Sequence, residues 1–232
     1  MTDPTWFSRP AEGSTGMLNA VYDALDRQVV LGRADEPALD LGDEVLSYAV
    51  LLERAAAFGG LLRALGVRRD DPVAVTAPVS AETAVAVLAA ARIGAVPWVG
   101  IDPVTMASAS AAPLVVAEGA QMETVAPAVD ALDPARPRAV VVVRPEPWSL
   151  LETRDVAWAP ALKAGGTDPA EIVPVAPDAA FVVAEDGTHD HRELASPVDL
   201  AATLTAGESW GGDKVRRLVS ALRAGPGTAA RG

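Results

Sequence analysis

Between Leu46 and Gly66 the apolar residues Tyr48, Leu51, Leu52, Ala55, Phe58, Gly59, Leu62 and Leu65 recur at i, i+3, i+4 and i+7. That spacing lays them along one face of an α-helix. Ser47 stands where an N-cap is wanted and Gly66 where a left-handed residue ends a helix. Glu53, Arg54 and Arg63 lie off the stripe and face water. After a polar connector, Val67 to Asp71, the run from Pro72 to Ala77 reads as a short buried strand ended by Pro78. Ser80 starts a second helix, with Glu82 in its first turn, where negative charge suits the helix dipole. This helix is nearly all Ala and Val, so it is buried on two sides. Gly94 closes it, and Val96 to Ile101 is a second apolar run of strand character. Helix, strand, helix, strand predicts a parallel sheet with right-handed crossovers, an α/β fold with helices flanking a mostly parallel sheet.

The rest of the chain is punctuated in the same manner. Residues 1–16 are polar with Pro and Gly and read as a flexible arm. Met17 to Val30 reads as an amphipathic helix with Leu18, Val21, Leu25 and Val29 on one side, and with Asp26 and Arg27 pairing locally. Ala38 to Leu46 suggests a short hairpin. A small helix follows Asp102-Pro103, then a short strand at Leu114 to Val116. Met122 to Leu132 is helical and Ala139 to Val143 a strand. Loops at Pro145 to Asp155 and Asp168 to Pro177 bracket a short helix, Trp158 to Ala164. Ala179 to Val183 is another buried strand. Asp213 to Arg223 is a final helix, and residues 224–232 are a frayed tail. One α/β domain therefore spans residues 17–223.

Composition narrows the function classes. Half of the 232 residues are hydrophobic but only 4% are aromatic, so the core is built from Ala, Val and Leu. A formal charge of −12 argues against nucleic acid and anionic membrane as partners. The absence of Cys removes thiol catalysis and disulfides. No basic start followed by an apolar core marks a leader, and the aliphatic run around Val140 to Val143 is too short to span a bilayer. A cytoplasmic protein is expected.

Several stretches together resemble a known family. They are Ser47-Tyr48-x-x-Leu51, Leu62-x-x-Leu65-Gly66-Val67, Asp71-x-Val73-Ala74-Val75, Pro78, and Ala89-x-x-x-x-Gly94-Ala95-Val96. The pattern resembles the opening of AMP-forming acyl-CoA synthetases and adenylation domains. The arm is similar to the acetyl-CoA and propionyl-CoA synthetase branch at Trp6-Phe7, Met17-Leu18-Asn19, Tyr22, Leu25-Asp26-Arg27 and Gly32-Arg33-Ala34-Asp35. There Asp23 stands for an Asn and Gln28 for a His. The resemblance resumes at Val140 to Arg144, at Arg154-Asp155-Val156 with Trp158, and at Pro177 to Val183. It implies the Rossmann-like N-terminal subdomain of an adenylate-forming enzyme, and it covers only the first part of such an enzyme.

In that family the strand equivalent to Phe181-Val182-Val183 leads into S-G-T-T-G-x-P-K-G. Glycines there let backbone N–H groups approach the phosphates of ATP, and lysine adds charge. This chain reads Asp186-Gly187-Thr188-His189-Asp190-His191-Arg192-Glu193-Leu194. Gly187 and Thr188 are the remnant that would hold a nucleotide, ATP or AMP. Asp186 stands at the Ser, Asp190 at a Gly and Glu193 at the Lys. A like-charge pair at about 4 Å costs about 4 kcal/mol at an effective dielectric near 20. Arg192 offsets part of that. Basic residues that the branch uses for CoA are absent between Ala117 and Val125, where Glu118, Gln121 and Glu123 stand. The resemblance also places the adenine, ribose and Mg²⁺ motifs, and the mobile domain with its catalytic lysine, beyond these residues. No catalytic residue carries over, and no bound cofactor is expected.

Other readings of the same residues stay open. Asp186-Gly187 is also a strong hairpin turn that would feed a capped helix, with no phosphate ancestry. Asp186, His189, Asp190 and His191 contain both histidines of the chain, but without a distant ligand they read as a polar turn rather than a metal site. Trp98, Trp148, Trp158 and Trp210 read as packing anchors. The leading expectation is a degenerate, non-catalytic acyl-CoA-synthetase-like domain that acts as a binding or interaction module. Its partner would be a second copy or another protein covering the face that the remaining domains would cover. The alternative is an AMP-dependent ligase component that adenylates an acetate- or propionate-like acid with ATP and CoA, completed by a second polypeptide.

Overall fold

The computed structural model describes residues 4–42, 44–100, 102, 112–132, 137–150, 153–195, 204–225 and 230–231. The chain begins with strand β1 (Trp6–Ser8), which pairs antiparallel with β2 (Met17–Leu18). The helix expected from Met17 therefore starts later. Leu18 exchanges both backbone hydrogen bonds with Val175, each 2.9 Å, and this holds Met17 and Leu18 extended. Asn19 then turns the chain: its amide donates to the carbonyls of Ala91, Arg92 and Val173, and its oxygen accepts from Val21 N. A π-helical turn (Tyr22–Asp26) runs into α1 (Arg27–Val30).

The pairing expected between Asp26 and Arg27 is also replaced. Asp26 takes both terminal guanidinium nitrogens of Arg92, at 2.6 and 2.9 Å, and Arg92 is 6% exposed. Arg27 instead lies 3.6 Å from Asp23, one turn back. An acid facing a buried cation gains more than one facing an exposed neighbour, since water screens the latter.

A hairpin of β3 (Pro37–Asp40) and β4 (Val45–Ser47) leads into α2 (Tyr48–Ala64), where Ser47 Oγ accepts from Val50 N. Next come β5 (Pro72–Val75), α3 (Ala81–Arg92) and β6 (Val96–Val99). Ser80 and Thr83 close a reciprocal capping box at the start of α3. The small helix expected after Pro103 lies outside the described residues. Then follow β7 (Leu114–Glu118), a 3₁₀ turn (Gly119–Gln121), α4 (Met122–Asp130), β8 (Ala139–Val143), β9 (Asp155–Ala157) and α5 (Trp158–Gly165). The described chain closes with β10 (Ala180–Ala184), β11 (Gly187–Asp190), α6 (His191–Leu194), α7 (Gly212–Ala224) and β12 (Ala230–Arg231). β12 pairs parallel with β3, where a frayed tail is expected from sequence.

The main sheet has seven strands in the order β11-β10-β6-β5-β7-β8-β9. Every pair is parallel except β10 with β11. Strand alternation divides its core in two. Val73, Val75, Leu114, Val116, Val141 and Val143 join one cluster with α2, α3 and α5. Ala74, Val115, Ala117, Val140 and Val142 join the other, with Met122, Val125 and Val129 of α4. Both faces of these strands are covered, which is why they read as unbroken aliphatic runs. α3 is buried at every residue from Thr83 to Arg92, and only small side chains let a helix pack so on all sides.

Candidate functional site

The path of the chain sets where a ligand can sit. From β5, α3 crosses one face to β6 on one side. β7 lies on the other side of β5, and α4 crosses the opposite face. The crevice beyond the carboxyl ends of β5 and β7 is a topological switch point, the usual binding place in open α/β sheets. A cleft of about 320 Å³ opens there. Thr76, Ala77 and Pro78 line it from the turn after β5, and Gly100 and Asp102 from the segment after β6. Glu118 and Gln121 come from the end of β7, Glu185 from the end of β10, and Ser209 and Trp210 from the approach to α7.

Its floor is fixed by internal hydrogen bonds. Gln121 accepts from Glu118 N at 3.1 Å and donates to Thr76 O at 3.1 Å. Thr76 Oγ1 donates to Val116 O at 3.1 Å. Glu118 receives Nε and Nη2 of Arg144 at 2.9 and 2.7 Å. Arg144 adopts a left-handed backbone, φ 45°, unusual for a residue other than glycine, and its contacts to Glu118 Oε1 help hold it there. Trp210 is buried and donates from Nε1 to Thr83 Oγ1, so the cleft wall is tied to the head of α3. A side chain at Gly100, φ 71°, would run into the Trp210 carbonyl, so this close approach requires glycine.

The stretch read as resembling a phosphate loop, from Asp186 to Leu194, lies at the edge of the main sheet. β10 ends at Ala184, Glu185 and Asp186 form the turn, and Gly187 pairs back to Ala184. Gly187 and Thr188 are exposed at the start of β11, on the outermost strand of the sheet. Asp190 is the N-cap of α6, its Oδ1 accepting from Glu193 N at 2.7 Å. The turn thus stands one residue earlier than the Asp186-Gly187 turn read from sequence, and a strand separates it from the capped helix.

Asp186 Oδ1 accepts the N–H of Gly212, the first residue of α7, at 3.1 Å. His189 Nδ1 lies 2.9 Å from Glu193 Oε1, while its buried Nε2 makes no hydrogen bond, with Asp186 Oδ2 3.4 Å away. Arg216 of α7 adds a further contact to Glu193 at 3.3 Å. A side chain at Gly212 would collide with His189 and Asp186. The hairpin is therefore bolted to the head of α7.

His191 points elsewhere. It is fully buried, accepts from Ala20 N at 3.2 Å through Nδ1, and meets the Phe181 ring edge-on at 4.9 Å. Burial pushes its pKa down to about 3, so it is neutral at physiological pH. The two histidines thus face different surroundings, and among the described residues no group of three or more His, Asp or Glu side chains is placed to hold a metal.

The tryptophans divide. Trp158 stacks on Phe58 with ring centroids 4.8 Å apart, Trp210 is buried, and Trp98 is half-buried. Trp148 is 43% exposed and anchors no core, against the packing role expected of it. Asn19, the Asp26–Arg92 pair and Arg144 escaped functional notice in the sequence, because each acts through a partner far along the chain.

Residues 25–184 match the sequence profile of the family described as AMP-binding enzyme. The chain belongs to this family. The match ends at Ala184, the last residue of β10, immediately before the two-residue turn. An uncharacterized protein of Pseudomonas aeruginosa is 37% identical over 196 residues, which are 75% of this chain and 31% of that protein. An acetyl-coenzyme A synthetase of Rubrobacter xylanophilus is 42% identical over 86 residues, 34% of this chain and 13% of the enzyme. The chain thus spans a third or less of the length of these curated relatives.

Among solved structures, an acyl-CoA synthetase of Brucella canis superposes with a TM-score of 0.69 at 20% identity, covering 93% of this chain and 44% of that one. An anthranilate CoA ligase in complex with anthranoyl-AMP gives a TM-score of 0.63 at 18% identity, covering 77% of this chain and 36% of that one. The fold is that of the N-terminal part of the AMP-forming superfamily. No helix among the described residues of this AMP-binding family member is long and apolar enough to cross a membrane.

Proposed function

We propose that this AMP-binding family member is a binding module that does not form acyl thioesters by itself. One observation carries the reading. The strand that leads into the glycine- and lysine-bearing phosphate loop of acyl-CoA synthetases here ends in a two-residue turn, and the Asp186 carboxylate of that turn occupies the Gly212 N–H at the head of α7. Helix heads attract anions, and this one already holds the protein's own. Gly187 and Thr188 lie on exposed backbone beyond the turn, without a lysine beside them in sequence. A triphosphate would meet Glu185, Asp186 and Glu193 instead. Trp98 and Val183, in register on β6 and β10 and both half-buried, offer apolar area to a protein partner, a second copy or another chain.

The test is pyrophosphate release from ATP–Mg²⁺ with acetate or propionate and CoA. The purified 232-residue chain is expected to release none above a no-protein control. A second reading, an adenylating component completed by another polypeptide, is favoured by the seven-stranded sheet, intact up to the end of β10, and by the open switch-point cleft. It predicts pyrophosphate release only when a chain carrying the rest of the family's fold is added.

A further inference from the structure

His189 stands between two carboxylates where three elements meet. Glu193 Oε1, on α6, lies 2.9 Å from Nδ1, and Asp186 Oδ2, on the turn after β10, lies 3.4 Å from Nε2. A neutral imidazole carries one N–H, so it serves one of these acceptors and turns a bare lone pair toward the other. Nε2 is buried and makes no hydrogen bond, which marks the Asp186 side as the unserved one. Only the imidazolium donates on both sides.

The surrounding charges favour the same state. Asp186 and Glu193 bring two negative charges, and Arg216 of α7 brings one positive charge, 3.3 Å from Glu193. Asp213, in the first turn of α7, is engaged by Arg217 at 3.1 Å, and Asp190 by the Glu193 N–H that it caps. Glu185 and Arg192 are exposed to water. A proton on His189 therefore balances the pair of carboxylates. It also adds a charge-assisted hydrogen bond to the carboxylate that already accepts from Gly212 N. Gly212 packs directly against both His189 and Asp186, so the bond bears on the head of α7. The same joint frames the switch-point cleft. Glu185, beside Asp186, lines it from the hairpin, and Ser209 and Trp210 line it from the approach to α7. We infer that His189 is a proton-operated latch, whose protonation holds the β10–β11 hairpin on the head of α7 and so fixes these two walls of the cleft together. The latch is independent of whether the chain forms acyl thioesters.

Amide hydrogen exchange of the full chain, read by NMR at about pH 5.5 and about pH 8, tests it across the range where imidazole changes charge. Rates are taken as protection factors, so the intrinsic pH dependence of exchange divides out. The Gly212 amide is expected to be about fivefold better protected at the lower pH, the gain of a charge-assisted over a neutral bond. Val141, in the middle of β8, reports on the main sheet and is expected to show no such gain. His191, buried and neutral, weakens the whole fold toward acid, so global stability changes in the opposite direction. His189→Gln is expected to bring the Gly212 ratio to within about twofold of unity, since its amide does not titrate in this range. Glu193→Gln keeps the side-chain shape and supplies an amide that donates to Nδ1. A neutral ring then satisfies both sides, and the ratio again falls near unity. Equal protection of Gly212 at both pH values, a gain shared by Val141, or a gain that survives either substitution would overturn the inference.

Discussion

Arg92 ends α3 and holds three elements at once. Its guanidinium forks onto Asp26 and its Nε donates to Ala170 O at 3.1 Å, while Asn19 takes its carbonyl. Removing one partner of a buried pair strands the other charge, so Asp26→Ala should lower unfolding stability by about 3–5 kcal/mol. Urea denaturation measures it, and a loss below about 1 kcal/mol would show the pair to be dispensable. His191 gives a pH dependence with a definite sign. Its folded pKa, near 3, lies below the ordinary 6.5. Between those values the unfolded chain binds a proton that the folded chain does not, so stability falls as pH drops from about 6.5 toward 3. The contribution is at most about 1.4 kcal/mol per pH unit. Denaturation midpoints of wild type and His191→Asn across that window should converge as the pH falls, since only the wild type carries this group. Parallel curves would contradict a buried neutral imidazole.

At the scale of elements, local signals were legible where one short segment decides its own structure. Ser47 and Ser80 cap α2 and α3, and Gly66 and Gly94 take φ of 81° and 75° where a left-handed stop was read. The aliphatic runs of β5, β7 and β8 gave a buried parallel sheet. Signals failed where a distant partner overrides the local pattern. Leu18 belongs to an apolar helical stripe by spacing, yet Val175 pairs with it as a strand. Asp26 sits beside Arg27 in sequence, yet Arg92, sixty-six residues away, outbids it. The site was legible in chemistry more than in geometry. The carboxylates at Asp186 and Glu193 could be read directly, whereas the bond from Asp186 to Gly212 could not, because nothing in a turn names the helix it caps. That bond gives a further expectation. Asp186→Ala should cost about 1 kcal/mol of stability, typical of a lost helix cap, by thermal or chemical denaturation. A variant as stable as wild type would detach the hairpin from α7.

The whole molecule is built on a mostly parallel sheet with Asp102, Glu118 and Glu185 around the cleft at its carboxyl edge, within a chain of formal charge −12. Family membership accounts for the sheet, the crossovers and the cleft at the switch point. Three local features stand beside that fold: a two-residue turn after β10, a protein carboxylate on the head of α7, and Gln121 with Glu118 at the end of β7. Fold and activity separate in such a molecule, because the sheet is held by aliphatic packing while phosphate chemistry depends on a few donors at one edge. The most direct measurement is pyrophosphate release by the purified chain in ATP–Mg²⁺, CoA and acetate or propionate, with an active acetyl-coenzyme A synthetase run in parallel. The account predicts a signal indistinguishable from buffer while the control enzyme turns over. Sustained release that depends on both the acid and the chain would contradict it, and would mean that this chain still delivers ATP to an acyl acceptor.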